Sequence, residues 1–291
     1  MKKRTWIFFL MACFAVVSCE KNIDVEFPPG EPPYVIEGYI EDGQFPLVTI
    51  SRGISFLSNI SPDNFRDLFV KNATVTIRVD NGPPILLSKL ELQGVVIYTT
   101  TAFTGNIGSS YELMIEADGK TFTGSTTILP PQGIDSISIE PAPGDRYEKD
   151  SLVRLVAHFN EPDPRGNYYR LLTRRNSDFF FDTGYNSVFD DLYWNGTNIE
   201  FTVARGKSEF QNNDTANFNN YGYFKRGDTV YVKWASIDKA QYDFWNTFEA
   251  QSSSFGNPFA STVIIKSNVK GKGSVGLWGS YGSFLDTLII P

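Results

Sequence analysis

Cysteine is almost missing from this 291-residue chain: Cys13 and Cys19 occur near the start, and none follows. A body without cysteine beyond position 19 has no internal disulfide and no thiolate metal ligand. Histidine is scarcer still. His158 is the only one, so a zinc site or a Ser-His-Asp site would have to use it. It sits in Leu152–Phe159, where alternation puts it on one face with Arg154 and Val156, opposite Val153, Leu155, Ala157 and Phe159. No Gly-x-Ser-x-Gly turn is present to pair with it. Positive charge is also short, 26 Lys and Arg against 33 Asp and Glu. Phosphate binding needs clustered bases, so a nucleic-acid partner is not expected. No fixed-period repeat and no Asp-x-Asp-x-Asp-Gly calcium loop occurs. Neither a metal nor a cofactor is expected.

What is present at the start is an export signal. Lys2, Lys3 and Arg4 precede an apolar stretch, Trp6 to Val17. Twelve residues are too few to cross a hydrocarbon core of roughly 30 Å as a helix, but they suit a signal peptide. The stretch ends in Val16-Val17-Ser18-Cys19, which resembles the lipobox read by lipoprotein signal peptidase. A small residue at Ser18 lets the peptidase approach, and the Cys19 thiol carries the diacylglycerol. Residues 1–18 are therefore expected to be removed and Cys19 to hold the protein to membrane lipid, since two or more acyl chains give stable anchoring. Removing Lys2, Lys3 and Arg4 leaves 23 bases against 33 acids, a charge near −10. Glu20 in place of an aspartate points to the outer membrane, with either face open.

Residues 19–33 read as a tether, because Pro28, Pro29, Gly30, Pro32 and Pro33 keep a chain extended. From Tyr34 onward, short alternating stretches are separated by turn residues. In Ala73-Thr74-Val75-Thr76-Ile77-Arg78-Val79 the apolar side chains fall on one face and the polar ones on the other. Asn81-Gly82 and Asp118-Gly119 supply hairpin turns. The expected fold is mainly β: two antiparallel β-sandwich domains, 34–130 and 131–291, parted near Pro130-Pro131. Long loops are expected over 176–220, a strand over Ser261–Ser267, and one short helix near 237–254 capped by Ser236.

Several segments in order resemble a Bacteroidetes lipoprotein family known as domain of unknown function 4249. They are Tyr34-Val35-Ile36-Glu37-Gly38-Tyr39-Ile40, Val48-Thr49-Ile50-Ser51-Arg52, Asn72 to Ile77, Asn167-Tyr168-Tyr169-Arg170, Asn257-Pro258-Phe259 and Ser267 to Trp278. The last departs from the family's pattern, with Lys272 for a glycine and Trp278 for the usual Phe. The first domain also looks like carboxypeptidase-regulatory or transthyretin-like sandwiches. The resemblance implies an outer-membrane lipoprotein, often encoded beside a TonB-dependent receptor, and it implies no reaction.

Candidate binding residues come from the aromatic and acidic loop: Phe180, Tyr185, Asp190, Tyr193 and Trp194, whose rings could stack on a sugar or peptide. The carboxylates Asp178, Asp182, Asp190 and Asp191 in the same loop would have to serve any glycosidase-like chemistry. Five Asp-Ser/Thr-aliphatic triplets place candidate O-glycans on Ser136, Ser151, Thr215, Thr229 and Thr287. The functional expectation is a non-catalytic accessory or binding lipoprotein that partners a TonB-dependent receptor. The alternatives are a free-standing glycan- or peptide-binding module and a carboxylate-based surface hydrolase.

Overall fold

Strands are the commonest element among the described residues. The computed structural model describes residues 31–54, 62–92, 94–142, 152–182, 186–206, 222–254, 261 and 263–291. Ser18, Cys19 and most of the tether lie outside them. The first half runs β1 (Tyr34–Glu41), β2 (Leu47–Arg52), α1 (Pro62–Asp67), β3 (Ala73–Val79), β4 (Ile85–Leu86), β5 (Ser88–Leu92), β6 (Val95–Thr99), β7 (Ser110–Ala117) and β8 (Lys120–Thr127). The second runs β9 (Ser136–Pro141), β10 (Leu152–Asn160), β11 (Tyr168–Arg175), β12 (Val188–Asp190), β13 (Asn198–Val203), β14 (Phe224–Lys225), β15 (Thr229–Ser236), α2 (Lys239–Ser253) and β16 (Ser274–Ile289).

Three sheets result among the described residues. Eight strands follow the order β12-β11-β15-β16-β1-β2-β6-β5, and two four-stranded sheets follow β4-β3-β7-β8 and β13-β10-β14 with β9 beside β10. The pairings are antiparallel except β1 with β16, which is parallel. The first core packs Ile36, Ile50, Val75, Ile115, Phe122 and Trp278 between two sheets. The second packs Leu155, Phe159, Tyr169, Leu171, Val232 and Trp234. Each such side chain contributes roughly 1.5–3 kcal/mol by leaving water.

The two cores share one strand. Residues Ser274–Tyr281 of β16 pair with β1, and Gly282–Ile289 pair with β15 on the opposite edge. Trp278 thus enters the first core, while Phe284 and Leu288 pack on the second. The edge of β16 opposite β1 is met by side chains. Asn268 accepts from the Trp278 backbone N–H and donates to its carbonyl, and Ser267 does the same for Gly276. Side chains stand in for a neighbouring strand there, so buried backbone groups are satisfied. Residues 32–291 form a single compact unit.

Some local expectations shift. Ser261–Ser267 is no strand where described, and the Gly-rich stretch from Ser274 forms the first half of β16 instead. The expected turn at Asn81-Gly82 moves back one residue: Asp80 and Asn81 carry the positive φ values, 48° and 62°. The helix cap is Asp238, not Ser236. Ser236 still belongs to β15, while Asp238 has extended backbone and accepts from the Gln241 N–H. His158 lies where alternation put it, on the half-exposed face of β10 within 3.1 Å of Glu200.

Candidate functional site

Strand register decides which side chains the eight-stranded sheet turns away from its cores. Ile36, Ile40 and Trp278 point to the first core and Leu171, Val232 and Trp234 to the second. Their alternates therefore share the other face: Glu37, Tyr39 and Glu41 on β1, Tyr281 on β16, Lys233 on β15, and Arg170 on β11. Helix α2 lies over this face. Gly279 makes that approach possible, because a Cβ there would come within 2.8 Å of the Gln241 carboxamide. Gln241 in turn accepts from the Ser280 backbone N–H at 2.9 Å.

Between sheet, helix and the segment Phe179–Asp182 lies a cleft of about 540 Å³. Its floor is the β1–β16–β15–β11 face, and Trp245 and Phe248 of α2 form one wall. Arg170 is buried at its base. Its guanidinium lies 3.4 Å from the centre of the Trp245 ring and donates to the Tyr281 hydroxyl oxygen and, at 2.5 Å, to Asp182. Burial disfavours the Arg170 charge, but Tyr281 and Asp182 outweigh that cost and raise its pKa. Burial likewise raises the pKa of Tyr281, against the opposing pull of Arg170. Tyr281 is thus a neutral phenol at ordinary pH.

Lys233 is held by Glu41 at 2.7 Å, with both side chains about one-seventh exposed, and its ammonium sits 4.6 Å from the Phe180 ring centre. This pair ties β15 to β1 across β16. A further contact fixes the helix: Glu249, buried, accepts from the backbone N–H and hydroxyl of Ser187. Burial raises the Glu249 pKa despite those bonds.

The structure gathers only part of the expected loop here. Phe180 lines the cleft. Asp190, at the end of β12, accepts from the Tyr242 hydroxyl at 2.9 Å. Tyr193 is 85% exposed on a turn, and Trp194 packs on Phe189. Tyr185 lies outside the described residues. The other loop acids have structural partners: Asp178 faces Arg175, Asp182 pairs with Arg170, and Asp191 accepts from the Gly166 and Asn167 backbone N–H groups. Of the candidate glycan acceptors, Ser136 and Thr287 are exposed and Thr229 is half-buried, while Ser151 and Thr215 lie outside the described residues.

Sequence reasoning did not find Arg170, Tyr281, Trp245, Phe248 or Glu37 as one set. The alternation of β1 does place Glu37, Tyr39 and Glu41 on a common face. Nothing local connects them to a helix about 200 residues later. A second hollow of about 360 Å³ lies on the outer face of β3, β7 and β8, between Arg78, Glu112, Met114, Thr123, Ser125 and Lys270. It is the smaller of the two, and its large apolar lining is limited to Leu113 and Met114 with no aromatic ring, so the aromatic cleft is the better candidate.

A sequence model of the family described as Domain of unknown function (DUF4249) matches residues 20–283. The chain belongs to that family. No curated protein matches it.

Proposed function

We propose that this DUF4249 protein is a lipid-anchored, non-catalytic binding protein of the outer membrane, which captures a ligand in the aromatic cleft and works beside a TonB-dependent receptor. The cleft is the observation that carries the reading. It offers ring faces at its mouth, with Phe179 82% and Phe248 40% exposed. Its Arg170 and Lys233 are each committed to a carboxylate. That arrangement suits recognition, because in an apolar pocket a few fixed polar groups orient a ligand and give specificity. The anchor reading rests on Cys19 and the short apolar segment before it. The receptor rests on the family resemblance.

The test is affinity capture of the lipidated protein from native outer membranes. Stoichiometric recovery of a β-barrel receptor is expected. No partner, together with hydrolysis in a glycan or peptide screen, would overturn the reading in favour of a surface hydrolase. The exposed rings also favour a second reading, a free-standing glycan- or peptide-binding module. Retention on immobilised glycans or peptides with no co-purifying barrel would select it. The anchor has its own check: Cys19→Ala should leave uncleaved, unlipidated precursor, and normal release of mature protein would contradict it.

A further inference from the structure

We infer that the cleft selects an organic cation, an ammonium or guanidinium group carried on an apolar body; this rests on the cleft being the binding site proposed above. The charges lining it are unequal. Glu37, Glu41 and Asp182 contribute three carboxylates, and Arg170 and Lys233 contribute two cations. Asp182 is matched to Arg170 and Glu41 to Lys233, at 2.5 and 2.7 Å. Both cations are largely covered, with side chains 6% and 14% exposed, so neither is offered to an anionic ligand. Glu37 is the carboxylate left over. It is exposed, and among the described residues no Lys or Arg forms an ion pair with it.

The rings near it are also open. Tyr39, two residues along on the same face of β1, is 37% exposed and lies 5.9 Å from the Tyr281 ring. Phe248 and Phe179 add exposed faces, and Trp245 stands edge-on to Phe248 at 5.7 Å. A carboxylate beside several aromatic faces attracts cations, because the ring quadrupole presents negative potential to them. The cleft already uses this chemistry internally: Arg170 is held by the Trp245 face, a carboxylate and a phenol. Glu37, Tyr39, Phe248 and Phe179 line the same cleft, so a carboxylate, a phenol and open ring faces are available together to one ligand.

Calorimetry with the detergent-solubilised lipidated protein tests this, using three N-acetyl dipeptide amides: Phe-Arg, Phe-citrulline and Phe-Glu. Citrulline keeps the shape of arginine and removes its charge. The arginine probe should bind one to one, with citrulline about tenfold weaker and glutamate weaker still. Glu37→Gln, at an exposed position, should leave the melting temperature unchanged and bring the arginine and citrulline probes within about twofold of each other. Equal affinities for arginine and citrulline in the wild type would overturn the inference, as would full discrimination in Glu37→Gln or no binding of any probe. Binding of the neutral or acidic probe that Phe248→Ala abolishes would sink the cation alone and leave the cleft as a site. If no probe binds, capture from native membranes still judges the proposed function separately.

Discussion

Gly38 and Trp278 stand opposite each other in the parallel pairing of β1 with β16, and a Cβ at Gly38 would lie 2.9 Å from the Trp278 Cε3 atom. The same Cβ would come within 3.1 Å of the Leu47 carbonyl oxygen. Trp278 cannot yield easily, because its indole is fully buried and its N–H donates to the Tyr111 carbonyl at 3.0 Å. This contact closes the first core with a residue from the far end of the chain. Gly38→Ala should therefore destabilise the fold by about 1–3 kcal/mol, the usual cost of overpacking. Urea unfolding of the mature protein measures it; an unchanged midpoint would mean the strands separate readily to admit a methyl group.

Glu161 gives a pH dependence with a definite sign. It is 1% exposed and accepts from Asn167 and the Tyr169 hydroxyl through Oε1, while Oε2 has no partner. Burial is the largest cause raising its pKa, with Asp191 adding to it. The folded state thus holds this proton more tightly than the unfolded chain does. Stability from this group is greatest below the ordinary carboxylate range and falls as pH rises through that range toward the raised folded value. Glu161→Gln keeps the Oε1 acceptor and removes the buried charge. Its stability relative to wild type should grow from near zero in acid to about 1 kcal/mol at alkaline pH. Melting curves across that range check it, and a variant less stable at alkaline than at acid pH, relative to wild type, would reverse the sign.

Asp238 joins the helix to the first sandwich. One carboxylate oxygen accepts from the Gln241 backbone N–H at 2.8 Å, and the other accepts from the Thr126 hydroxyl at 2.9 Å. Asp238→Ala should cost about 1 kcal/mol through the lost cap. It should also speed amide exchange in α2 more than in β10, because only the helix loses an anchor. Asp238→Asn retains an acceptor for the cap and should recover most of the loss.

Much of the fold was legible because period-two alternation is a local property. β3 matches its alternating stretch to the residue, Leu152–Phe159 falls within β10, and Asp118-Gly119 carries left-handed residues. The first half of β16 was hidden by its composition. Gly276 and Gly279 have no side chain to show alternation, yet each is there because backbone or a side chain approaches closely. Short strands such as β4 and β14, two residues each, carry no period to detect. The site was less legible for a related reason. Phe180 was singled out for its aromatic neighbours, but Arg170 and Tyr281 are 111 residues apart and meet only through sheet order. Asp190 accepts from Tyr242 and Trp194 packs on Phe189, contacts within the chain that residue type alone does not reveal. Composition cannot distinguish a ring that packs on its own chain from one that faces a ligand.

The most direct measurement compares the lipidated wild type with a Glu37→Gln, Phe248→Ala double variant, each captured gently from native outer membranes and weighed by native mass spectrometry. At equal yield and melting temperature, the wild type should carry a non-covalently bound ligand that the double variant lacks. Identical spectra from the two proteins would contradict a binding role for the cleft.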